Sequence, residues 1–442
     1  MSKYIIAQPK PKHTNLAWIS LILMTSNIYH TRLMILLGLY SEASTVLIQG
    51  AAVLCFCAYL ASEGKLQSEK MRIRMTDVWM ALSWIVILLS VRDFRENLTY
   101  IIRYGVYVAV VVLFRQDEKI VRIGFWCMVA AGLLHIVFTF WFRYDLNFYL
   151  RYIFPSFTAA QQEQLYGQVV YHGYASGIAV HYSVNGMYMA ITLCCSFVLL
   201  QEKRRKGLAA ILFLVNLLAL FMTGKRGVIL FAVFAMLAAH FLLEHKKRWL
   251  GVLLGVSVCG VLLFWLSHYI ESAAATLERL YEMFYDGGTD VSTGRFGLYK
   301  EAWALFLEHP LTGIGWREFT REANVYFGGQ SQLMDTHNVF LQLLCETGIF
   351  GFGVFAALFA AAYGKTLKLA VLYRKGRVEL AENQKMLLYF SVCYQTFFLC
   401  YCMTGNPLYD HETLFAYVLS VAAVGALEEQ DGTNGIGNYT GL

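Results

Sequence analysis

Residues 207–244 read GLAAILFLVNLLALFMTGKRGVILFAVFAMLAAHFLLE. Two apolar runs, near 207–222 and 227–244, are separated by only Thr223-Gly224-Lys225-Arg226-Gly227. A bilayer core takes roughly 20 apolar residues per helical span, and each run approaches that scale. The pattern predicts two membrane-spanning helices joined by a very tight turn. The rest of the chain agrees: its 442 residues are 58% hydrophobic and 15% charged, with a mean hydropathy of +0.50. Soluble domains are about 45–50% apolar and about 25% charged. An ordinary cytosolic enzyme, a disordered chain, a collagen and a coiled coil are thereby excluded. The fold class expected is all-α integral membrane.

Working outward from the opening pair, further apolar runs lie near 16–39, 44–62, 76–91, 98–114, 123–141, 177–200, 249–270, 338–363, 386–403 and 413–427. About twelve transmembrane helices are expected, in one polytopic membrane domain covering residues 1–442. The stretch from Leu16 carries Asn27, His30 and Arg32 and no small-residue cleavage site, so it reads as a retained first helix. With the lysine-bearing N-terminus placed in the cytoplasm, every second loop is basic, and 23 of the 36 lysines and arginines fall on that side. This is the bias that orients membrane proteins. It predicts cytoplasmic N- and C-termini and accounts for the net charge of +6 without a nucleic-acid partner. The ten cysteines sit in apolar runs and read as small fillers. The one large extracytoplasmic loop expected, 271–337 between spans nine and ten, has amphipathic helical patterns over Ala273–Phe284 and Arg295–Glu308. The second puts Phe296, Tyr299, Trp303 and Phe306 on one stripe, suited to a membrane surface or to the helix bundle.

Polar residues that break these patterns are the functional candidates. Lys225 and Arg226 lie in an outer turn, against the positive-inside preference. Snorkelling to headgroups is one explanation. The other is an anion site, because arginine's planar fork matches phosphate oxygens and the flanking glycines admit close backbone approach. Arg295 stands in the first turn of its helix after Ser292-Thr293-Gly294, where a cation opposes the helix dipole. His337, in Asp335-Thr336-His337-Asn338, opens span ten, with Thr336 or Asp335 as candidate cap and Asn338 and Gln342 as orienting groups. Histidine suits proton transfer near neutral pH. Glu346 lies roughly 13 Å further along the helix and is expected to pair with Arg32 or Arg103. His181 and Asn185, four residues apart on span six, and Asp410, His411 and Glu412 at the last outer turn add to the same face.

The block from Ser292-Thr293-Gly294-Arg295 through Trp303 and His309-Pro310-Leu311-Thr312-Gly313-Ile314-Gly315-Trp316 to His337-Asn338 and Glu346-Thr347-Gly348 resembles the O-antigen ligase and polymerase superfamily. Gly224-Lys225-Arg226-Gly227 resembles that family's basic turn, with Thr223 and Lys225 replacing the commoner serine-flanked version. The resemblance covers about 175–425 in layout and 220–350 in motif. It implies a bacterial cytoplasmic-membrane glycosyltransferase that moves a glycan from undecaprenyl diphosphate to an acceptor hydroxyl on the outer face. It implies diphosphate binding by Arg226 and Arg295 and a catalytic His337. Lys225, Asn338, Arg321, Asn185 and His181 are possible supporting residues. No metal and no cofactor is implied. The partners implied are the lipid-linked donor, the glycan acceptor and the bilayer, with a flippase and a chain-length regulator beside a polymerase. A polymerase of capsule, exopolysaccharide or O-antigen repeat units is the leading expectation. Ligation to lipid A core, transfer to protein, and a lipid-linked glycan transporter are the alternatives.

Overall fold

The computed structural model describes residues 14–29, 31–38, 41–64, 73–159, 162–163, 165–166, 173–179, 181–202, 206–244, 260–261, 264–265, 269, 274, 277–278, 295–323, 326–327, 330–331 and 334–433. Among these the fold is α-helical. The helices are α1 (Thr14–Tyr29), α2 (Thr31–Leu36), α3 (Glu42–Ser62), α4 (Met75–Ser90), α5 (Phe94–Phe114), α6 (Glu118–Tyr144) and the short α7 (Leu146–Phe148). They continue with α8 (Tyr182–Leu200), α9 (Lys206–Met222), α10 (Arg226–Leu243), α11 (Arg295–Glu308), α12 (Phe319–Glu322), α13 (Val339–Arg374), α14 (Glu382–Tyr401) and α15 (His411–Thr433). A small ribbon pairs β1 (Tyr326–Phe327) with β2 (Gln330–Ser331), Tyr326 opposite Ser331.

Helix starts follow local chemistry. Asp93 caps α5 by accepting the Glu96 N–H at 3.0 Å, and Asp117 caps α6 through the Lys119 N–H at 3.0 Å. Asn338 caps α13, accepting the N–H groups of Phe340 and Leu341 at 3.0 and 3.1 Å. The cap is therefore Asn338, and not Thr336 or Asp335 as the sequence suggested.

Among the described residues, six helices are long and apolar enough to cross a membrane: Ser44–Ser62, Phe94–Phe114, Glu118–Tyr144, Tyr182–Leu200, Arg226–Leu243 and Val339–Arg374. Asn15–Thr25, Met75–Ser90 and Lys206–Met222 are shorter apolar helices. The first expected span, 16–39, divides into α1 and α2, and most of the ninth, 249–270, lies outside the described residues. Helix α13 continues to Arg374 and α14 begins at Glu382, so most of the basic stretch expected as a loop between the runs 338–363 and 386–403 is helical. Large apolar side chains such as Leu47, Leu54, Leu89, Ile211 and Phe234 point outward. That is the surface a hydrocarbon solvent requires.

The most buried elements are α8, α14 and α15. Helix α14 packs on α10 and α15, α8 on α6 and α9, and α4 on α13. Nine free cysteines are present among the described residues, in helices or at their ends. Helices α4, α5, α13 and α15 each run from one end of the bundle to the other. Ser90, at the end of α4, accepts the Trp316 N–H at 2.8 Å. At the opposite end, Asp77 near the start of α4 receives Arg115, just past the end of α5.

Of the large loop, Ala273–Phe284 falls almost wholly outside the described residues. Helix α11 is settled differently on its two faces. Leu298, Ala302 and Leu305, spaced i, i+4 and i+7, are buried against Ile314, Phe319 and Cys345. Phe296 and Trp303 of the predicted aromatic stripe are 62% and 49% exposed. The helix thus packs on the bundle with its aliphatic side and presents Phe296 and Trp303 outward, while Phe306 packs against the buried cluster and Tyr299 is half-buried.

Candidate functional site

One turn, after the end of α14, gathers three helix starts. The Arg295 guanidinium donates to the Thr404 carbonyl at 3.1 Å. The Val339 N–H at the start of α13 donates to the Cys402 carbonyl at 2.8 Å. A Cβ at Gly227 would lie 3.9 Å from Thr404 Oγ1, so the start of α10 is beside the same turn. The Thr223–Gly227 turn is itself tightly held. Gly224 has φ +70° and a Cβ there would overlap the Tyr174 ring at 2.3 Å, which only glycine avoids. Lys225 precedes the first residue of α10, Arg226, and its ammonium lies 5.1 Å from the Tyr182 ring centroid.

His337 has φ +53°, a left-handed backbone that is uncommon for a residue with a side chain. Its neighbours impose it. Thr336 is fully buried, and its Oγ1 accepts the Asn338 N–H at 3.0 Å and contacts Gln342 Oε1 at 3.2 Å. Asn338 is committed to capping α13. Between these anchors the chain must turn sharply at His337. Burial, and then the positive charges of Arg295 and Lys225, hold the His337 imidazole down at about 4, so it is neutral at physiological pH. The same cations reach other groups. His181 is held at about 3 by burial and by Lys225. Burial pushes the Asp410 carboxyl up to about 8, with Glu412 and Asp335 adding to the rise and Lys225 opposing it. A neutral imidazole, two or more fixed cations and a carboxyl poised near neutrality therefore share one partly enclosed region.

Glu346 is the organising residue beneath it. Its carboxylate accepts the Tyr409 hydroxyl at 2.8 Å, Gln342 Nε2 at 3.0 Å and the Phe319 N–H at 3.4 Å. Gln342 Nε2 also reaches Asp335 Oδ1 at 3.0 Å. The pairing with Arg103 expected from sequence is not the arrangement found, since Glu346 takes neutral donors and Arg103 lies near Glu412 and His411; the side chain of Arg32, the other expected partner, lies outside the described residues. A buried carboxylate can be satisfied by several dipoles as well as by one cation. The His309–Trp316 segment is strapped to the same helix. The Ile314, Gly315 and Ile349 N–H groups donate to Cys345, Glu346 and Pro310 carbonyls at 2.8, 2.9 and 2.9 Å. Trp316, fully buried, stacks on Tyr409 at 4.9 Å and on Phe355 at 5.8 Å.

Two glycines make this strap possible. Gly313 (φ +71°) faces the Glu346 carbonyl carbon, 2.3 Å from where a Cβ would stand. Gly348 (φ +65°) kinks α13 and faces the Leu311 carbonyl oxygen at 2.2 Å in the same sense. Gly313→Ala is expected to destabilise the protein by at least about 2 kcal/mol, since the left-handed backbone alone costs roughly 1–2 kcal/mol with a Cβ. Gly353→Ala on α13, where a Cβ meets nothing within 4 Å, should be neutral or slightly stabilising. Thermal unfolding of the two detergent-solubilised variants checks this; equal melting temperatures would contradict it.

The remaining candidates divide. Lys225, Arg226, Arg295, His337 and Asn338 come together around the Cys402–Thr404 turn. His181 caps α8 through Nδ1, accepting the Ser183 N–H at 3.1 Å, and is close enough to feel Lys225. Asn185 is fully buried and donates to Thr139 Oγ1 and to the Ala175 carbonyl, both at 2.9 Å, so it ties α6 to the 173–179 segment. Arg321 is drawn outward into ion pairs with Glu96 and Glu318. The sequence did not single out the Thr404 carbonyl, Tyr409 or Tyr182. Gly405-Asn406-Pro407 is a turn signal that marks this position, but nothing local says what the turn receives.

Fold and site together define an α-helical, multi-pass membrane protein with a cationic site at one end of its bundle. Residues 208–356 match the family model O-Antigen ligase, and this part of the chain is similar to that family. The matched stretch contains Arg226, Arg295, His337 and Glu346. It supports a polysaccharide ligase- or polymerase-like role. No curated protein matches the chain.

Proposed function

We propose that the protein is a membrane glycosyltransferase that moves a glycan from undecaprenyl diphosphate to an acceptor sugar hydroxyl on the outer face of the bacterial cytoplasmic membrane. The acceptor hydroxyl attacks the anomeric carbon; the new C–O bond forms as the bond to the diphosphate oxygen breaks. His337 takes the hydroxyl proton, and Arg226 and Arg295 hold the diphosphate as negative charge grows on the departing oxygen. Preorganised guanidinium groups are suited to that charge and are poorly replaced by bulk water. A single displacement with a base gives inversion, by analogy with inverting glycosidases. The observation that carries this reading is that His337, at the mouth of α13, shares the Cys402–Thr404 turn with Arg295, so that a proton acceptor and a phosphate-binding cation stand together. A bound diphosphate offsets the neighbouring cations and raises the proton affinity of the imidazole toward the operating pH, where a general base works best.

In this reading the chain is one polytopic domain of about twelve spans with cytoplasmic termini, and 271–337 is its extracytoplasmic loop. The transfer polymerises capsule, exopolysaccharide or O-antigen repeat units, beside a flippase and a chain-length regulator. The description of the matched family favours a second acceptor, lipid A core. Purified protein in liposomes, given lipid-linked repeat units alone, is expected to yield longer lipid-linked glycan and free undecaprenyl diphosphate without any ion gradient. Product only when lipid A core is added would select the ligase reading. Movement of donor across the membrane with no new glycosidic bond would overturn both.

A further inference from the structure

Helix α11 carries a face that the transfer chemistry leaves unused. Trp303 and Leu307 lie one turn apart on it, and Leu311 follows just beyond the helix end. All three are exposed, Leu307 and Leu311 by 60% and 57%. The opposite side, Leu298, Ala302 and Leu305, is already buried on the bundle. Lys300, also exposed, borders the outward face. A second apolar side that combines tryptophan, leucine and a flanking lysine has the composition of a helix lying in a membrane interface.

The far end of α11 fixes where that face stands. Its exit is strapped across the kink of α13. The Ile349 N–H donates to the Pro310 carbonyl at 2.9 Å, and a Cβ at Gly348 would stand 2.2 Å from the Leu311 carbonyl oxygen. From this kink, residues 347–364 of α13 contain no Asp, Glu, Lys or Arg, with Glu346 before them and Lys365 after. The stretch is on the scale of one crossing of the hydrocarbon core. Hydrocarbon therefore begins close to Gly348, and Leu311 stands at its edge. The first large side chains on the membrane side, Ile349 and Phe350, are 47% and 69% exposed. The strap thus sets the exposed end of α11 beside the lipid-facing surface of a span.

We propose that α11 is seated in the bilayer interface, with Trp303, Leu307 and Leu311 against the lipid of the leaflet that α13 enters at Gly348. Lipid, and not a second copy or another protein, is the occupant because the face ends at the hydrocarbon boundary of a span. Lys300 can lay its methylenes along the same surface and raise its ammonium to the headgroups. Arg295, at the start of the same helix, is then held near the level of the lipid phosphates; only this consequence rests on the transfer reading.

Nitroxide labels on the full-length protein in liposomes of phosphatidylcholine and phosphatidylglycerol test the seating. One label is placed at Leu307→Cys and one at Glu308→Cys, exposed and roughly 100° further round the helix. Wild type is labelled in parallel to subtract its native cysteines. Power saturation then reads collisions with oxygen, which partitions into lipid, and with a nickel chelate, which stays in water. The oxygen-to-nickel ratio is expected to be higher at 307 than at 308. Leu311→Cys should repeat the result and serves if Leu307→Cys does not fold. A label at 307 as open to nickel as the one at 308 would put the face in water. A label shielded from both reagents would mean that protein covers it. Either result overturns the proposal, whatever the protein transfers.

Discussion

Replacing His337 by asparagine is expected to lower glycan transfer by roughly 10²–10⁴-fold, the usual worth of a positioned base, while the protein still inserts and folds. Asparagine is the informative substitution because it tolerates the left-handed backbone found at this position. His337→Ala removes the base equally but adds backbone strain of its own. Polymer of normal length and amount from either variant would remove His337 from the chemistry. The pH dependence carries a second expectation. The imidazole of the free protein is held at about 4 by burial and by the Arg295 and Lys225 charges. The base form therefore prevails above that value, and kcat/KM should be flat through neutrality and fall only as pH drops through about 4. A bound diphosphate offsets both cations, which lets the imidazole protonate more readily. The acid limb of kcat should then lie at higher pH than that of kcat/KM. Limbs that coincide at the ordinary histidine value would contradict this electrostatic picture.

Arg295→Ala should reduce transfer by about 10²–10³-fold, as loss of one preorganised donor to a developing oxyanion does, and Arg226→Ala should do the same. Lysine at position 295 keeps the charge but loses the planar fork, so only partial activity should return. The Arg295 variant has a further signature that separates charge from packing. Arg295 is one of the two cations that depress His337. Without it the imidazole pKa rises, and the acid limb of kcat/KM should move toward higher pH. A rate loss with an unmoved limb would assign Arg295 to support of the Thr404 turn alone.

The legible part of the site consisted of residues whose type conflicts with their place. Lys225 and Arg226 in an outer turn, and Arg295 against a helix dipole, are anomalies of charge that a one-dimensional pattern displays. Asn185 and Glu346 were equally visible as polar groups in apolar runs, yet their partners were not. Asn185 bonds across 46 residues to Thr139 and Glu346 across 63 to Tyr409. Neither distance leaves a trace in spacing. Arg321 shows the converse: a cation in the right loop, with Glu96 and Glu318 nearby to draw it outward.

The sequence by itself determined that the chain is helical and suited to a bilayer. Runs of apolar residues on the scale of a membrane are a local property, and hydrocarbon admits few backbone conformations besides the helix. It also determined which residues merit attention, through the conflict between their charge and their surroundings. Only the tertiary structure decided that Arg295 meets the Thr404 turn and that the His309–Trp316 strap closes on the kink at Gly348. Only it showed that α11 turns its aliphatic side inward and Phe296 and Trp303 out. These depend on contacts between segments far apart in the chain, where side-chain packing and the satisfaction of buried polar groups select one arrangement among many that hydropathy alone allows.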